Sequence, residues 1–193
     1  MAFDPESAPL RLTHVLRDIW ETLALSAQTP GHPWRTPVLA TVARNSPTAR
    51  IVVLRSANRR RRQLEFHTDS RSPKVEHLRK NPRLEWVFYD PKLQMQLRAQ
   101  AKATLHEADS VSTAAWKRVP PASYLNYLQQ KAPGSSLDRP SGNSPLDPRP
   151  HPAFTVVHAT VTEWDWLWLH PKGHRRARFT WQDDRWHGEW IVP

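Results

Sequence analysis

The 193-residue chain reads as a mainly β protein with peripheral helices, and three observations predict it. Nineteen prolines break long helices, ten tryptophans suit aromatic-rich layers, and five glycines are too few for a glycine-rich loop protein. Short apolar or alternating runs recur between turn-like stretches, which is the mark of strands rather than of long helices. At about 150 residues per domain the length gives a single domain over 1–193. With 38% hydrophobic residues the chain can build one sizeable core.

Each element follows from its local pattern. Leu10, Val15, Ile19 and Leu23 fall at helical spacing, with Leu12, Leu16 and Trp20 beside them and Arg11, Arg17 and Glu21 between, so a peripheral helix is expected over 10–27. The proline-rich connection ending at Pro37 stops it. Strand-like runs at 38–43, 49–55 and 63–69, separated by RNSPT and SANRRRR, predict an antiparallel meander. Ser72 then serves as N-cap and Pro73 as first residue of a short helix carrying Val75 and Leu78, which ends at Asn81-Pro82.

Residues 83–90 and 93–106 predict a hairpin turning at Asp90-Pro91-Lys92, with Leu93, Met95 and Leu97 on one face and Gln94, Gln96 and Arg98 on the other. Residues 109–130 read as helix in two pieces broken at Pro120-Pro121, the second with Tyr124, Leu125 and Leu128 on one side. Six prolines between 131 and 152 make that stretch a long loop, either a surface excursion or a lid over a ligand. A strand over 154–170 and a final hairpin turning near 182–184 complete the chain.

Composition bounds the function. Twenty-eight Lys and Arg, of which 21 are Arg, against 18 Asp and Glu leave a net charge of +10. The excess suits an anionic partner, either a polyanion or one small phosphorylated ligand. Without cysteine there is no disulfide, thiol nucleophile, thiolate zinc site or cysteine-held iron–sulfur cluster, so hard redox chemistry needs a bound cofactor. The ten histidines show no carboxylate at a consistent metal-ligand spacing, so no metal site is assigned. No run approaches the roughly 20 apolar residues of a membrane span, and the first ten residues do not resemble a secretion signal, so a cytoplasmic protein without membrane contact is expected. Arg59 to Arg62 read first as a solvated turn, and Trp164, Trp166 and Trp168 as one packed sheet face.

The residues that suggest chemistry are Arg50 and Arg55 bracketing an apolar strand, His67-Thr68 ending its neighbour, and Ser72 and Lys74 at a helix start. Guanidinium, ammonium, hydroxyl and free helix amides together suit a phosphomonoester. The plainer reading of the same residues is exposed strand-end charge and an ordinary cap.

The ordered set ATV, ARIVVLR, FHTDSRSPK, NPRLEWVFY and QLRAQAKA over residues 36–106, resumed by WLWLHPKGHRRARF and RWHGEWIVP, resembles the pyridoxamine 5'-phosphate oxidase-like flavoproteins. The resemblance implies a split β-barrel, a homodimer, and FMN in a cleft at the subunit interface. It places Arg50, Ile51, Val52, Val53, Leu54 and Arg55 on the FMN-binding strand, with Arg55 where the family usually has Lys. His67 and Thr68 stand at a position usually Tyr-Thr, and Ser72 near the phosphate. Lys74 is the second of a basic pair whose first member is Pro73 here, with Arg71 as a possible substitute. Gln96 matches the residue that hydrogen-bonds the flavin, and Trp168 and Arg178, ten residues apart, match the pair completing the cleft. His174 and Arg176 match the substrate pair with the two residue types exchanged, which argues against pyridoxamine phosphate itself as substrate.

The resemblance thus implies an FMN-dependent oxidoreductase acting on an unidentified small molecule, its catalytic residues unassigned because the flavin carries the chemistry. A non-catalytic flavin- or heme-binding protein is the second reading. Nucleic-acid binding through Arg59 to Arg62 is the third and least favoured.

Overall fold

The computed structural model describes residues 11–139 and 152–193. Residues 140–151 of the proline-rich stretch, and with them most of the loop-or-lid question, lie outside the described residues. The described residues form nine strands in one antiparallel sheet: β1 (Val38–Ala43), β2 (Ser46–Ile51), β3 (Ser56–Asn58), β4 (Gln63–Thr68), β5 (Arg83–Asp90), β6 (Met95–His106), β7 (Thr155–Trp168), β8 (Arg175–Gln182) and β9 (Arg185–Ile191). Helices α1 (Leu12–Gln28), α2 (Pro73–Lys80) and α3 (Ser110–Trp116) lie around them. A mainly β architecture with peripheral helices is what the composition predicted.

The sheet path runs β2-β1-β5-β6-β7-β4-β3, with β8 on β7 and β9 on β8. Strand β7 organises it. Strand β6 runs along nearly all of β7, which pairs with β4 through Thr155–Thr160 and with β8 through Glu163–Trp168. Between those two stretches the β6 register slips, Gln100 facing Glu163 and Ala101 facing Val161, so that Thr162 is an extra residue. A bulge raises the local twist and bends its strand, which lets one strand serve diverging neighbours.

The predicted meander is corrected in one respect. Strands β1 and β2 pair as expected, with Thr41 opposite Thr48 and Leu39 opposite Arg50. The run 49–55, however, is not one strand beside β4. It splits into β2 and β3, and residues 52–55 cross between them, with Val52 N–H donating to the Pro37 carbonyl, Leu54 N–H to that of Arg35, and Arg55 N–H to that of Glu65. These two strands are opposite ends of the sheet path, joined by four residues that span at most about 18 Å, so the sheet curls until its ends approach. Apolar periodicity marked the segment as extended but carried no sign of the change of partner.

The strand faces that point inward supply Leu39, Leu54, Phe66, Trp86, Leu97 and Trp164, all fully buried. Helix α1 closes one side with Val15, Ile19, Trp20 and Leu23, and Trp20 meets Trp164 edge-on at 5.1 Å. Trp164, Trp166 and Trp168 share the packed face as their alternation predicted. A smaller cluster of Ala115, Val119, Tyr127, Phe154 and Val156 packs α3 against the start of β7. The second helical piece expected within 109–130 is a 3-10 helix, Pro121–Asn126, and it is Tyr127 rather than Leu125 that is buried. Two adjacent prolines remove the N–H groups a longer α-helix would need.

The last hairpin turns at Asp183-Asp184, both with positive φ (49° and 55°), the backbone of a type I′ turn. Within it Gly188 lies opposite Phe179, and a Cβ at that position would stand 2.8 Å from two atoms of the ring. Phe179 therefore fills the space the missing side chain leaves. Gly188→Ala should lower stability by about 1–3 kcal/mol, the usual effect of overpacking, as read from the denaturant midpoint. An unchanged midpoint would mean that the Phe179 ring is not fixed there.

Candidate functional site

The first turn of α2 and the ends of β2 and β4 bring four of the sequence-selected residues into one corner. Ser72 caps the helix by position and Pro73 takes its first turn, but the Ser72 hydroxyl does not cap the backbone. It accepts a hydrogen bond from Lys74 Nζ at 2.6 Å instead, and the same ammonium reaches Thr68 Oγ1 at 3.1 Å. Arg50 approaches from β2, close enough to depress the Lys74 pKa. Burial is the larger cause of that depression, Arg50 adds to it, and Asp69 opposes it. Burial also lowers the Arg50 pKa. Among the described residues neither cation has a carboxylate as hydrogen-bond partner. Two half-buried like charges held by hydroxyls are an unfavourable arrangement by themselves, and an anion of two negative charges fits it.

Arg50 does not stand alone in its strand. Its Nη1 donates to Thr41 Oγ1 at 2.7 Å and to the Leu39 carbonyl at 3.3 Å, and its Nη2 to Thr48 Oγ1 at 2.7 Å. His77 Nδ1 of α2 lies 3.3 Å from Thr41 Oγ1 and 3.5 Å from Thr48 Oγ1. Sequence reasoning missed Thr41, Thr48 and His77. Pro47 made 44–48 look like a turn, whereas the turn is only Arg44-Asn45 and Pro47 sits in the edge strand β2.

The other selected residues lie elsewhere. Ile51, Val52, Val53 and Leu54 lead away from the corner, Val52 and Leu54 with buried side chains. Arg55, at the far end, lies near Tyr127, whose pKa burial raises and the Arg55 charge lowers in part. Arg71 is bound to Asp69 through three donors, at 2.7–3.0 Å, and to the carbonyls of Gln129 and Gln130, so it ties the helix start to the loop after residue 128. That geometry is opposed to its replacing the basic residue absent at Pro73.

His67 points to the opposite face of β4 from Thr68. Its Nε2 meets Glu65 Oε1 at 2.9 Å, while Glu65 Oε2 meets His158 Nε2 at 3.2 Å. The His158 ring in turn packs edge-on against His106, whose Nδ1 is 2.7 Å from Asp109. Burial would raise the Glu65 pKa, but hydrogen bonds from His158 and His67 outweigh it and bring it to about 2. Glu65 and His67 also border a cavity of about 350 Å³ with Arg35, Arg55 and Arg118.

On the outer face of β6, Gln96 is half-buried beside Arg98, which pairs with Glu85 and lies 3.5 Å from Asp165. Asp165 also takes two bonds from Arg176, at 2.9 and 2.7 Å, so much of that fork is engaged within the sheet. Arg178 stands 3.7 Å from Glu189. Trp168 is buried with the Arg175 guanidinium over its ring, and His174 is exposed at the edge of a shallow hollow that Arg176 and Trp190 also border. Among the described residues no hydrogen bond joins Gln96, Trp168 or Arg178 to the Arg50–Lys74 corner. A hollow of about 800 Å³ lies over β1, β5 and β6 and meets the corner at Thr41. Its volume is in the range of ligand pockets.

The site is thus a cationic, hydroxyl-lined corner at a helix start beside a curled antiparallel sheet. Residues 15–107 match the model of the family described as pyridoxamine 5'-phosphate oxidase, FMN-binding domain, and over that stretch the chain is similar to this family. Among solved structures it is similar to a pyridoxamine 5'-phosphate oxidase-related, FMN binding protein from Nostoc punctiforme, with 26% identity over 100% of both chains and a TM-score of 0.76. It shares the fold of PhzG from Burkholderia lata, with 18% identity over 99% of this chain and 98% of that one, TM-score 0.71. General Stress Protein 26 from Bacillus anthracis is a more distant match, with 17% identity over 77% and 92% and a TM-score of 0.52. No described helix is long and apolar enough to cross a membrane.

A pH dependence follows from Glu65. Its folded pKa of about 2 lies below the ordinary 4.5, so its stabilising contribution is complete above the unfolded value and disappears as pH falls through the folded one. Glu65→Gln should therefore be least stable relative to the parent near neutrality, with the gap closing from about pH 5 towards pH 2. Denaturant titrations across that range check it, and a gap independent of pH would remove the carboxylate as the cause.

Proposed function

We propose that the protein binds FMN and works as an FMN-dependent oxidoreductase on a small molecule. The observation that carries this reading is the pair of half-buried cations at the start of α2, Arg50 held by Thr41 and Thr48 and Lys74 by Thr68 and Ser72, with no carboxylate bound to either among the described residues. A phosphate monoester placed there neutralises both and accepts from both. The match of residues 15–107 to an FMN-binding family model and the likeness to a Nostoc protein described as FMN binding support the choice of ligand.

FMN, when bound, supplies hydride and single-electron transfer, so no side-chain acid or base is obligatory. The part of the chain is to bind and orient. Arg50 and Lys74 grip the phosphate, Thr68 and Ser72 keep Lys74 pointed at it, and the backbone of Ile51 to Arg55 runs on from the grip. Gln96, Trp168 and Arg178 are assigned to the ring end, Gln96 as a hydrogen-bond partner, Trp168 as an apolar wall and Arg178 as a cation near an electron-rich edge. These three make no hydrogen bond to the phosphate corner of their own chain, and a homodimer in which one copy supplies the corner and the other the ring end accounts for the separation. His174 and Arg176 face the substrate side, Arg176 oriented by Asp165.

The purified protein should show flavin absorption bands, or acquire them with added FMN, and release FMN on denaturation. Arg50→Ala should weaken FMN by roughly 1.5–3 kcal/mol in a fluorescence titration, the scale of a charge-assisted hydrogen bond. Unchanged affinity would overturn the assignment of the corner. Reoxidation of the reduced flavin by an added acceptor, with turnover, separates an oxidoreductase from a protein that only holds the flavin.

A further inference from the structure

Arg50 carries five N–H donors in a rigid plane, and the structure accounts for three. Nη1 spends both of its protons, on Thr41 Oγ1 and on the Leu39 carbonyl, and Nη2 spends one on Thr48 Oγ1. The two hydroxyls are 3.1 Å apart and each receives one Nη, so together they occupy the outer end of the guanidinium. The donors left are Nε–H and the second Nη2 proton, which are parallel on one long edge. That edge has the spacing of two oxygens of a phosphate.

The hydroxyls are themselves held. Thr41 and Thr48 are direct cross-strand partners, Arg50 is two residues from Thr48 on the same strand face, and Thr41 is almost fully buried. Both accept from Arg50, and each keeps a lone pair and a proton for a further bond: the two hydroxyls are within hydrogen-bond distance of each other, Thr48 Oγ1 lies 3.3 Å from the Thr41 carbonyl, and Thr41 Oγ1 lies 3.3 Å from His77 Nδ1. Helix α2 thus reaches the anion corner twice, directly with Lys74 at its start and indirectly with His77 a turn later.

We propose that Thr41, Thr48 and His77 are positioning residues that brace Arg50, occupying the end of its guanidinium so that its Nε–Nη2 edge takes a phosphate side-on. The inference rests on the phosphate reading above and adds to it the mode of grip and the residues that set it. Without the brace the long side chain would be free to turn, and ordering it would count against binding.

The test compares FMN with riboflavin, which differs only in lacking the phosphate, by fluorescence titration of the parent, Thr48→Val, Thr48→Ser and Arg50→Ala. Thr48→Val should weaken FMN by about five- to thirtyfold, the equivalent of one hydrogen bond, and leave riboflavin within about twofold. Thr48→Ser, which restores the hydroxyl, should bind FMN within about threefold of the parent. His77→Gln, whose amide oxygen can accept from Thr41, should retain FMN better than His77→Leu. If Thr48→Val binds FMN as the parent does while Arg50→Ala does not, the brace is wrong and the phosphate corner stands. Equal losses for FMN and riboflavin in Thr48→Val, or a Thr48→Ser variant as weak as the valine one, would show structural damage and overturn the brace. Unchanged FMN affinity in Arg50→Ala would overturn the corner and the brace together.

Discussion

Strand β7 joins three neighbours, and the placement of every polar group discussed above depends on how it changes partners. Before the bulge at Thr162 it holds β4, and with it Thr68, His67 and Glu65. After the bulge it holds β8, and with it Arg176 and Arg178. Strands β4 and β8 both lie along the edge of β7 opposite β6, on separate lengths of it, the bulge bends the strand between them, and the buried row Trp164, Trp166 and Trp168 anchors the second length in the core.

The two-residue period of β4 then separates two kinds of electrostatics by the thickness of one strand. Leu64, Phe66 and Thr68 share a face, and the last of them contributes a hydroxyl to the cationic corner. Glu65 and His67 point the other way, into an array of three imidazoles and two carboxylates that runs from His67 through Glu65 and His158 to His106 and Asp109. One side is positive and lacks a bound carboxylate; the other is internally compensated. The second is a structural network, in which the carboxylates of Glu65 and Asp109 are stabilised by the donors around them.

How much of this was legible in the sequence follows the range of the interactions. Helix α1, the α2 start at Ser72-Pro73, the β5–β6 hairpin and the turn at Asp183-Asp184 depend on neighbours a few residues away, and local pattern located them. The corner was partly legible, because Arg50, Thr68, Ser72 and Lys74 carry the chemistry a phosphate needs and the family likeness ordered them. Thr41 and Thr48 were not, because their role depends on a register that Pro47 disguised. The array around Glu65 was also invisible, since His158 is 93 positions from Glu65 and no local rule connects them. Arg71 and Arg176 were legible as charges, but not as charges already engaged by Asp69 and Asp165.

The pairing of Gln63 with Thr160 sets an order on how such a chain can assemble. Hairpins β1–β2, β5–β6 and β8–β9 each close over a few residues and can form from their own turns. Strand β7 closes a short hairpin with β8, but its other partners β4 and β6 lie far back in the chain, and the loop entropy must be lost before their contacts are gained. Hairpins that form early therefore wait on one late strand, and the outer rows of β4 and β6 stay open to other chains until it arrives. The polar residues on those rows, Glu65, His67, Arg98 and Gln100, give the unfinished sheet a charged surface during that interval, and charged strand faces discourage edge-to-edge association.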